Sequence, residues 1–373
     1  MKQFQIVKTK IEKSNIVDSS ADKALEDKAI KVKIEKFAVT SNNITYAVAG
    51  DKLGYWQFFP PLADAKGNNG DALSDWGVIP VWGFAIVIES KNDDVEIGER
   101  FFGYFPPANH LVMKPSNVTD QVFIESSKHR AHLPVAYNIY RKVIHPSTMS
   151  ASDILQNENE RMLLYPLHVT SYALYDFFEE HDWFGAEQAI LLSASSKTSI
   201  GLAYGIKDKK SALNQIGVTS IRNVTAVKKL DLYDNVVDYS NLEQIDNTKA
   251  SVIIDMSGNS EVISQLHHKL EDNMKFCSKV GITHKDSFTN DLFYIKDRTH
   301  MFFAPSQIQK KIEENGMQAF DLECTQYLTH SYAQCRSWLE MQEINGLEGL
   351  QELFVDICNG KIAPTKGLIV KMP

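Results

Sequence analysis

The fold is decided by the stretch Ala189-Ile190-Leu191-Leu192-Ser193-Ala194-Ser195-Ser196-Lys197-Thr198-Ser199-Ile200-Gly201-Leu202-Ala203-Tyr204-Gly205-Ile206-Lys207. Its apolar start leaves no solvated face and so predicts a buried strand. A turn of small residues follows, and helical spacing resumes after the turn. Backbone amides in such a turn can approach a pyrophosphate at the N-terminus of a helix. The stretch therefore predicts the phosphate-binding start of a Rossmann domain.

The glycine fingerprint of this turn is degenerate. Only Gly201 has a fingerprint-like place, where it would let the helix pack closely on the strand. Hydroxyl groups fill the turn and can bind phosphate oxygens, while Lys197 can add a positive charge. A serine-rich loop of an ordinary α/β protein is the alternative. The predicted cofactor-binding residues here are Ser193, Ser195, Ser196, Lys197, Thr198, Ser199, Ile200 and Gly201.

Short apolar runs alternate with helical segments beyond residue 150. Alternating strands and helices favour a doubly wound parallel sheet, so the predicted fold class is α/β. Helices are predicted over 154–164 and 168–180, and strands over 189–193, 217–220, 235–239, 251–255 and 275–282.

The strand predicted over 217–220 suggests which cofactor binds. It ends without the Asp or Glu that holds the ribose diol in an NAD domain, and offers Ser220, Arg222 and Asn223 instead. A guanidinium suits a 2′-phosphate, which favours NADP(H) over NAD; a surface arginine on a solvated turn is the alternative. Met256 and Gly258 end a further buried strand and are predicted to lie beside the cofactor.

The composition limits the classes of protein to which this chain can belong. At 373 residues, two domains are expected, and a net charge of −8 with dispersed lysines argues against nucleic acid as a partner. No apolar run suits a signal peptide or a membrane span, which predicts a cytoplasmic protein without a membrane partner. The four cysteines begin at Cys277 without metal-ligand spacing and are predicted to be reduced.

The first part of the chain is predicted to be mainly β. Strands are expected over 31–39, 43–48 and 78–89, and the polar residues 67–71 indicate an exposed loop. The aromatic residues 55–61, with Trp76 and Trp82, could line an apolar pocket or simply pack beneath loops. Near the end of the chain, helices are expected over 306–315 and 331–344 and a strand over 367–370.

Taken together, these segments resemble the medium-chain dehydrogenase/reductase superfamily, especially its zinc-free, quinone-oxidoreductase-like members. They are most similar to the DUF2855 group. Residues 37–46 resemble the early strand and Asn-containing turn of the superfamily's GroES-like domain, and residues 97–103 resemble its Gly-Asp-Arg-Val turn, with Glu99 in place of Asp. The resemblance implies a GroES-like catalytic domain over 1–150, a Rossmann domain over 151–303, and a segment over 304–373 that returns to the catalytic domain near 360–364.

The resemblance also implies further site residues. Thr170, before Ser171, resembles the Thr-Ala pair near the nicotinamide, and Tyr239 resembles the tyrosine that flanks the adenosine. Gly281 is assigned to the cofactor site as well. Tyr46 and Tyr55 are candidate catalytic donors, because the loops of the first domain face the nicotinamide in this superfamily.

Zinc-dependent relatives use a cysteine in their first domain, and this chain has none before Cys277, so no metal is expected. The lone His110, His129 and His132 are more typical of surface or core residues. The expected function is an NADPH-dependent, zinc-independent reductase of a small molecule with an activated carbonyl or carbon-carbon double bond, of the quinone, enone or enoyl thioester type. An NADP(H)-binding sensor or scaffold without turnover is the alternative, and a homodimer is possible.

Overall fold

The computed structural model describes residues 1–19, 24–63, 72–145, 147–208, 212–281 and 292–373. The predicted loop over 67–71 lies outside the described residues. The strands are β1 (Lys2–Val7), β2 (Lys10–Asp18), β3 (Ile30–Val39), β4 (Trp76–Gly77), β5 (Val81–Ser90), β6 (Arg100–Phe105), β7 (His110–Met113), β8 (Pro115–Ser116), β9 (Val122–Glu125), β10 (Ile139–Lys142), β11 (Gln188–Leu192), β12 (Asn214–Thr219), β13 (Asn235–Asp238), β14 (Ser251–Asp255), β15 (Met274–Lys279), β16 (Thr299–Met301), β17 (Glu340–Asn345) and β18 (Lys366–Lys371). The helices are α1 (Ser41–Val48), α2 (Ala151–Glu180), α3 (Lys197–Asp208), α4 (Val224–Lys229), α5 (Ser260–Leu270), α6 (Ala304–Asn315), α7 (Met317–Cys335) and α8 (Gly346–Cys358).

The chain divides into two compact units. The first contains Met1–Leu163 and Leu339–Pro373, and the second contains Leu164–Trp338. Both divisions lie later in the chain than the predicted 150 and 303, because α2 crosses the first one and the hairpin of α6 and α7 packs within the second unit.

The first unit is built on β-sheets. Nine strands form one sheet in the order β17-β18-β3-β5-β6-β10-β9-β8, with β7 also paired to β3, and three more form a sheet in the order β2-β1-β4. Strand β3 alternates buried and half-buried residues along its first half, as expected for a sheet with one face on the core.

The second unit is a six-stranded sheet in the order β13-β12-β11-β14-β15-β16. All its strand pairs are parallel. This is the 3-2-1-4-5-6 order of a Rossmann sheet, so the predicted doubly wound fold is confirmed. Every residue of β11 is buried, as its apolar run predicts.

The strand predicted over 43–48 is wrong, because these residues belong to helix α1. Thr40 caps the helix: its hydroxyl accepts from the Asn42 amide at 3.2 Å, and the Asn43 side chain accepts from the Thr40 amide at 2.7 Å. These two bonds satisfy donors that a helix start leaves open, so a short apolar run becomes a helix here.

Two helix predictions also differ from the structure. The helix predicted over 331–344 ends at Cys335, and Glu340–Asn345 forms β17, which pairs in parallel with β18. The helices predicted over 154–164 and 168–180 are one continuous helix, α2, which contains Pro166. The hydroxyl of Thr170 donates to the carbonyl of Pro166 at 3.0 Å, within the turn that follows the proline. Within the described ranges, no helix is long and apolar enough to cross a membrane.

Candidate functional site

The candidate cofactor site lies at the carboxyl edge of the sheet of the second unit. In a doubly wound sheet, ligands bind outside the carboxyl ends of the strands, where the strand order reverses. Here the reversal falls at β11, between β12 and β14. Most of the predicted site residues follow directly on strand ends and so come to this one edge: Ser193, Ser195, Ser196, Ser220, Arg222, Asn223, Tyr239, Met256, Gly258 and Gly281.

The turn after β11 begins at Ser193 in a left-handed backbone conformation, with φ of 57°. Such a conformation is costly for a residue with a Cβ, and it persists where the surroundings fix it. The hydroxyl of Tyr239 accepts a hydrogen bond from the Ser193 amide at 3.0 Å. Tyr239, predicted to flank an adenosine, thus contacts the turn itself.

Two hydroxyl groups of the turn form hydrogen bonds within the turn itself. Ser196 caps α3, since its Oγ accepts from the Ser199 amide at 3.2 Å and also donates to Ser199 Oγ at 3.0 Å. Ser199 Oγ in turn donates to the carbonyl of Leu192 at 3.1 Å. Ile200, which is buried, donates its amide to the Ser196 carbonyl at 2.9 Å. Ser196 and Ser199 therefore shape the turn.

Ser195 differs from its neighbours, because its hydroxyl oxygen accepts one hydrogen bond from the last residue of β12 and one from the loop that follows β12. Thr219 donates at 3.2 Å and the Asn223 side chain donates at 3.1 Å. A serine hydroxyl has two acceptor positions and one hydrogen to donate. With both acceptor positions used, the Ser195 hydroxyl can still act as a donor toward an acidic ligand.

The loop after β12 carries the polar groups predicted to read a 2′-phosphate. The Ser220 hydroxyl is buried and has no hydrogen-bond partner among the described residues. Arg222 is exposed, and none of the described residues forms an ion pair with it. A buried hydroxyl without a partner carries a free-energy penalty that a bound polar group would relieve.

The glycine of the degenerate fingerprint is needed for a contact other than the predicted one. A Cβ on Gly201 would lie 2.7 Å from both the His168 ring and Ser171 Oγ, so the close approach is between α3 and α2. The nearest neighbours of Gly201 are therefore on α2, and its packing on the strand stays a prediction. Ser171 Oγ also donates to the carbonyl of Thr198 at 2.7 Å. Thr170 lies on the same helix with its hydroxyl bound to Pro166.

His168 is a residue of this site that the sequence did not reveal. It is fully buried against Gly201, and its Nδ1 is hydrogen-bonded to the hydroxyl of Ser331 on α7. Burial lowers its pKa to about 3, so the ring is neutral at physiological pH. Tyr327, also on α7, donates to the carbonyl of Gly201 at 2.6 Å. Helices α2 and α7 thus hold the first turn of α3 from two sides.

Lys197 is the first residue of α3 and is half-buried. Burial lowers its pKa to about 8, with the nearby Cys335 thiol acting in the opposite direction. Its role as a cation near phosphate oxygens stays a prediction.

The ends of β14 and β15 approach each other closely beside the site. A Cβ on Gly281 would lie 2.3 Å from the carbonyl oxygen of Met256, so only glycine fits without a shift of the backbone. Asp255, which is fully buried, accepts from the amides of Ser257 at 2.8 Å and Gly258 at 3.1 Å. Burial raises the Asp255 pKa, while these bonds oppose the rise.

The predicted catalytic tyrosines lie in the first unit. Tyr46, on α1, is 4% exposed and Tyr55 is 6% exposed, with ring centroids 4.6 Å apart. The Tyr55 and Tyr137 hydroxyl oxygens are 3.1 Å apart. Burial raises the pKa of both predicted donors, so both phenols are protonated at neutral pH.

Where the structure describes the chain, no three His, Cys, Asp or Glu side chains come together in a way that could hold a metal ion. His129 Nε2 is hydrogen-bonded to the Phe58 carbonyl at 3.1 Å, and His132 Nε2 is 3.0 Å from the side-chain oxygen of Gln57.

One family model, described as "Protein of unknown function (DUF2855)", matches residues 37–363. The chain belongs to the DUF2855 family. The predicted membership is confirmed over most of the chain. No curated protein matches this DUF2855 protein by sequence.

Solved structures resemble the DUF2855 protein over its whole length. CurA from Vibrio vulnificus, crystallised with NADPH, has a TM-score of 0.64 at 11% identity, covering 100% of this chain and 99% of that one. Escherichia coli quinone oxidoreductase complexed with NADPH has a TM-score of 0.55 at 11% identity, covering 100% of both chains. CurK enoyl reductase has a TM-score of 0.54 at 12% identity, covering 100% of this chain and 99% of that one. These likenesses confirm the predicted fold, a GroES-like domain with a Rossmann domain.

Proposed function

We propose that this DUF2855 protein is an NADPH-dependent, zinc-independent reductase of a small molecule with an activated carbonyl or carbon-carbon double bond. The observation that carries the proposal is the set of polar groups that Ser195, Ser220 and Arg222 leave available for a ligand, at the edge of the sheet where the strand order reverses. Ser195 keeps a hydrogen to donate, Ser220 is buried without a described partner, and Arg222 is exposed without a described ion pair.

These groups fit an NADP(H) cofactor. Arg222 and Ser220 would hold the 2′-phosphate, because a guanidinium and a hydroxyl supply charge-assisted donors where an NAD domain would place an acid. Ser195 and the N-terminus of α3 would hold the pyrophosphate, since helix N-termini favour anions. Lys197 and Thr198 stand at that N-terminus, and Gly258 and Gly281 follow the ends of the neighbouring strands β14 and β15.

When bound, the reduced cofactor supplies a hydride to the substrate. The protein residues then have to position the acceptor and provide a proton. Tyr46 and Tyr55 are the proposed donors, because burial keeps both phenols protonated at neutral pH. Zinc independence rests on the lack of any cysteine before Cys277.

The structural neighbours support a substrate in which the carbon that accepts the hydride is conjugated with a carbonyl group. One of these neighbours is a quinone oxidoreductase and another is an enoyl reductase, and two of the three were crystallised with NADPH. Quinones, enones and enoyl thioesters share an electrophilic carbon conjugated with a carbonyl group. The cytoplasmic location and the homodimer remain predictions from the sequence.

An NADP(H)-binding sensor or scaffold without turnover is the second candidate. The low exposure of Tyr46 and Tyr55 favours it, because a proton donor has to reach the reacting atoms. This candidate predicts cofactor binding with the same preference for NADPH but no oxidation of the cofactor.

Two measurements test the proposal. Fluorescence titration with NADPH and NADH should show tighter binding of NADPH, and lack of binding of either at sub-millimolar concentration would exclude both candidates. The protein should then oxidise NADPH with at least one member of a panel of quinones, enones and enoyl thioesters, measured as the loss of NADPH absorbance. This activity should persist after treatment of the protein with a zinc chelator. Binding without any oxidation across the panel would favour the sensor.

A further inference from the structure

Four tyrosines of the first unit pack against one another. We refer to Tyr46, Tyr55, Tyr104 and Tyr137 as the tyrosine cluster. Ring centroids are 4.6 Å apart for Tyr46 and Tyr55, 5.8 Å for Tyr55 and Tyr137, and 4.8 Å for Tyr104 and Tyr137. The members come from α1, β6 and two short helical turns, so residues distant in sequence are brought together.

The four tyrosines of the cluster differ in how far each is exposed to solvent. Tyr104 is fully buried, Tyr46 is 4% exposed, Tyr55 is 6% exposed and Tyr137 is half-buried. Tyr137 is therefore the most exposed residue of the cluster, and its hydroxyl oxygen is 3.1 Å from that of Tyr55. The pair joins a predicted proton donor to a tyrosine with greater exposure to solvent.

A buried arginine holds Tyr137 in place. Arg130 is 1% exposed, and its guanidinium donates to the carbonyl of Tyr137 at 2.9 Å and to the Asn138 side chain at 2.7 Å. It also lies over the rings of Phe58 and Phe59, at 5.3 Å and 4.8 Å from their centroids. A planar guanidinium on aromatic faces gives a rigid anchor for the backbone that carries Tyr137.

Either phenol of this pair can donate to the other, since the two hydroxyl oxygens lie 3.1 Å apart. Burial raises the pKa of both groups, so both are protonated at neutral pH and each carries a proton that can pass along the bond. Donation from Tyr137 to Tyr55 would stabilise a Tyr55 phenolate.

We propose that Tyr137 is a proton-relay residue that reprotonates Tyr55 during reduction, an inference that rests on the proposed function. The reduced cofactor would supply a hydride to the electrophilic carbon of the substrate, and Tyr55 would donate its proton to the resulting enolate. The O–H bond of Tyr55 breaks, the Tyr137 proton moves to the Tyr55 oxygen, and water reprotonates Tyr137. One hydride and one proton are consumed for each substrate reduced.

The test compares Tyr55→Phe, Tyr137→Phe and the double variant, with Tyr175→Phe as the control. Tyr175 is a buried tyrosine of the second unit, and its hydroxyl donates to Glu179 at 3.1 Å. Each change removes one oxygen and keeps the ring, and Arg130 binds the Tyr137 backbone carbonyl, which Tyr137→Phe retains.

We expect kcat to fall about 100-fold in Tyr55→Phe, which removes the proposed proton donor. In Tyr137→Phe kcat should fall only about tenfold, because water can reprotonate Tyr55, although more slowly than Tyr137 does. KM should stay nearly unchanged in both variants. The double variant should match Tyr55→Phe, since residues that act in series are not additive. The solvent deuterium isotope effect on kcat should rise in Tyr137→Phe and stay constant in Tyr175→Phe.

Additive losses, or an unchanged kcat and isotope effect in Tyr137→Phe, would overturn the relay alone. Absence of turnover by the unsubstituted protein with any acceptor would overturn the proposed function. Tyrosine labelled with ¹³C at Cζ gives a readout that needs no turnover. The resonance that disappears in Tyr55→Phe should shift in Tyr137→Phe, and an unmoved resonance would show that the two phenols are not bonded.

Discussion

The hydroxyl of Tyr239, at the end of β13, accepts a hydrogen bond from the backbone amide of Ser193, in the turn after β11. Strand β12 lies between these two strands, so the tyrosine reaches across a neighbouring strand end to the phosphate turn. Because Ser193 has a left-handed backbone, the bond holds a conformation that the residue itself disfavours. The shape of the turn thus depends on a residue more than forty positions away.

Tyr239→Phe should destabilise the protein and weaken NADPH binding together. It removes the acceptor for the Ser193 amide, and loss of such a bond costs about 0.5 to 1.5 kcal/mol. Urea unfolding without cofactor and fluorescence titration with NADPH measure the two effects. A variant that loses stability but binds NADPH as before would show that the turn keeps its shape without Tyr239.

Arg222→Ala should weaken NADPH far more than NADH. Loss of a charge-assisted bond to the 2′-phosphate costs roughly 1.5 to 3 kcal/mol, whereas NADH has no such phosphate. Lys229→Ala, which removes an exposed cation of α4, is the matched control for a general change of charge. Equal losses for both cofactors, or an equal effect of Lys229→Ala, would rule out Arg222 as the phosphate-reading residue.

Gly281→Ala should lower both stability and NADPH affinity. The new Cβ would meet the Met256 carbonyl and push apart the ends of β14 and β15, at a cost of about 1 to 3 kcal/mol. Gly360→Ala is the control, because Gly360 has φ of 62° and open space around it, so it costs about 1 to 2 kcal/mol from backbone strain alone. If both variants bind NADPH like the unsubstituted protein, Gly281 has no part in the cofactor site.

Glu158 should account for part of the acid sensitivity of the protein. It is 4% exposed and bonded to Lys36 at 2.7 Å, to Arg100 at 2.9 Å and to His145 at 2.9 Å, while Glu35 binds Arg100 at 2.8 Å. Burial alone would raise its pKa, but the bonds from Arg100 and Lys36 lower it from 4.5 to about 2.

The stabilisation from Glu158 is therefore complete above about pH 4.5 and is lost as the pH falls toward 2. Glu158→Gln should cost about 3 to 5 kcal/mol at neutral pH, because it leaves buried cations without their partner. The difference in free energy of unfolding between the two proteins should shrink below pH 4.5. A difference that stays constant down to pH 3 would contradict this assignment.

The sequence predicted best where the pattern is local. The buried run of β11 and the small residues after it are enough to place the turn and its serines, because both depend on neighbours in sequence. The strand end with Ser220 and Arg222 was found in the same way. The alternation of strands and helices predicted the parallel sheet, and the strand order of the structure confirms it.

Other features depend on distant partners and could not be read from the chain. Glu340–Asn345 is a strand because it pairs with β18, and its own residues are compatible with a helix. His168 and Tyr327 contact Gly201 from α2 and α7, and their spacing gives no sign of this. The capping bonds of Thr40 could have been found, since Thr40 is a favoured N-cap residue directly before α1.

Strand β18 lies between β17 and β3 inside the nine-stranded sheet, although it is the last strand of the chain. During synthesis on the ribosome, β3 therefore emerges long before its neighbour exists. The second unit, Leu164–Trp338, is complete within a continuous segment and can fold while the rest is still being made. The first unit has to wait with an open strand edge, and any chaperone that assists this protein would be needed there until β18 has been synthesised.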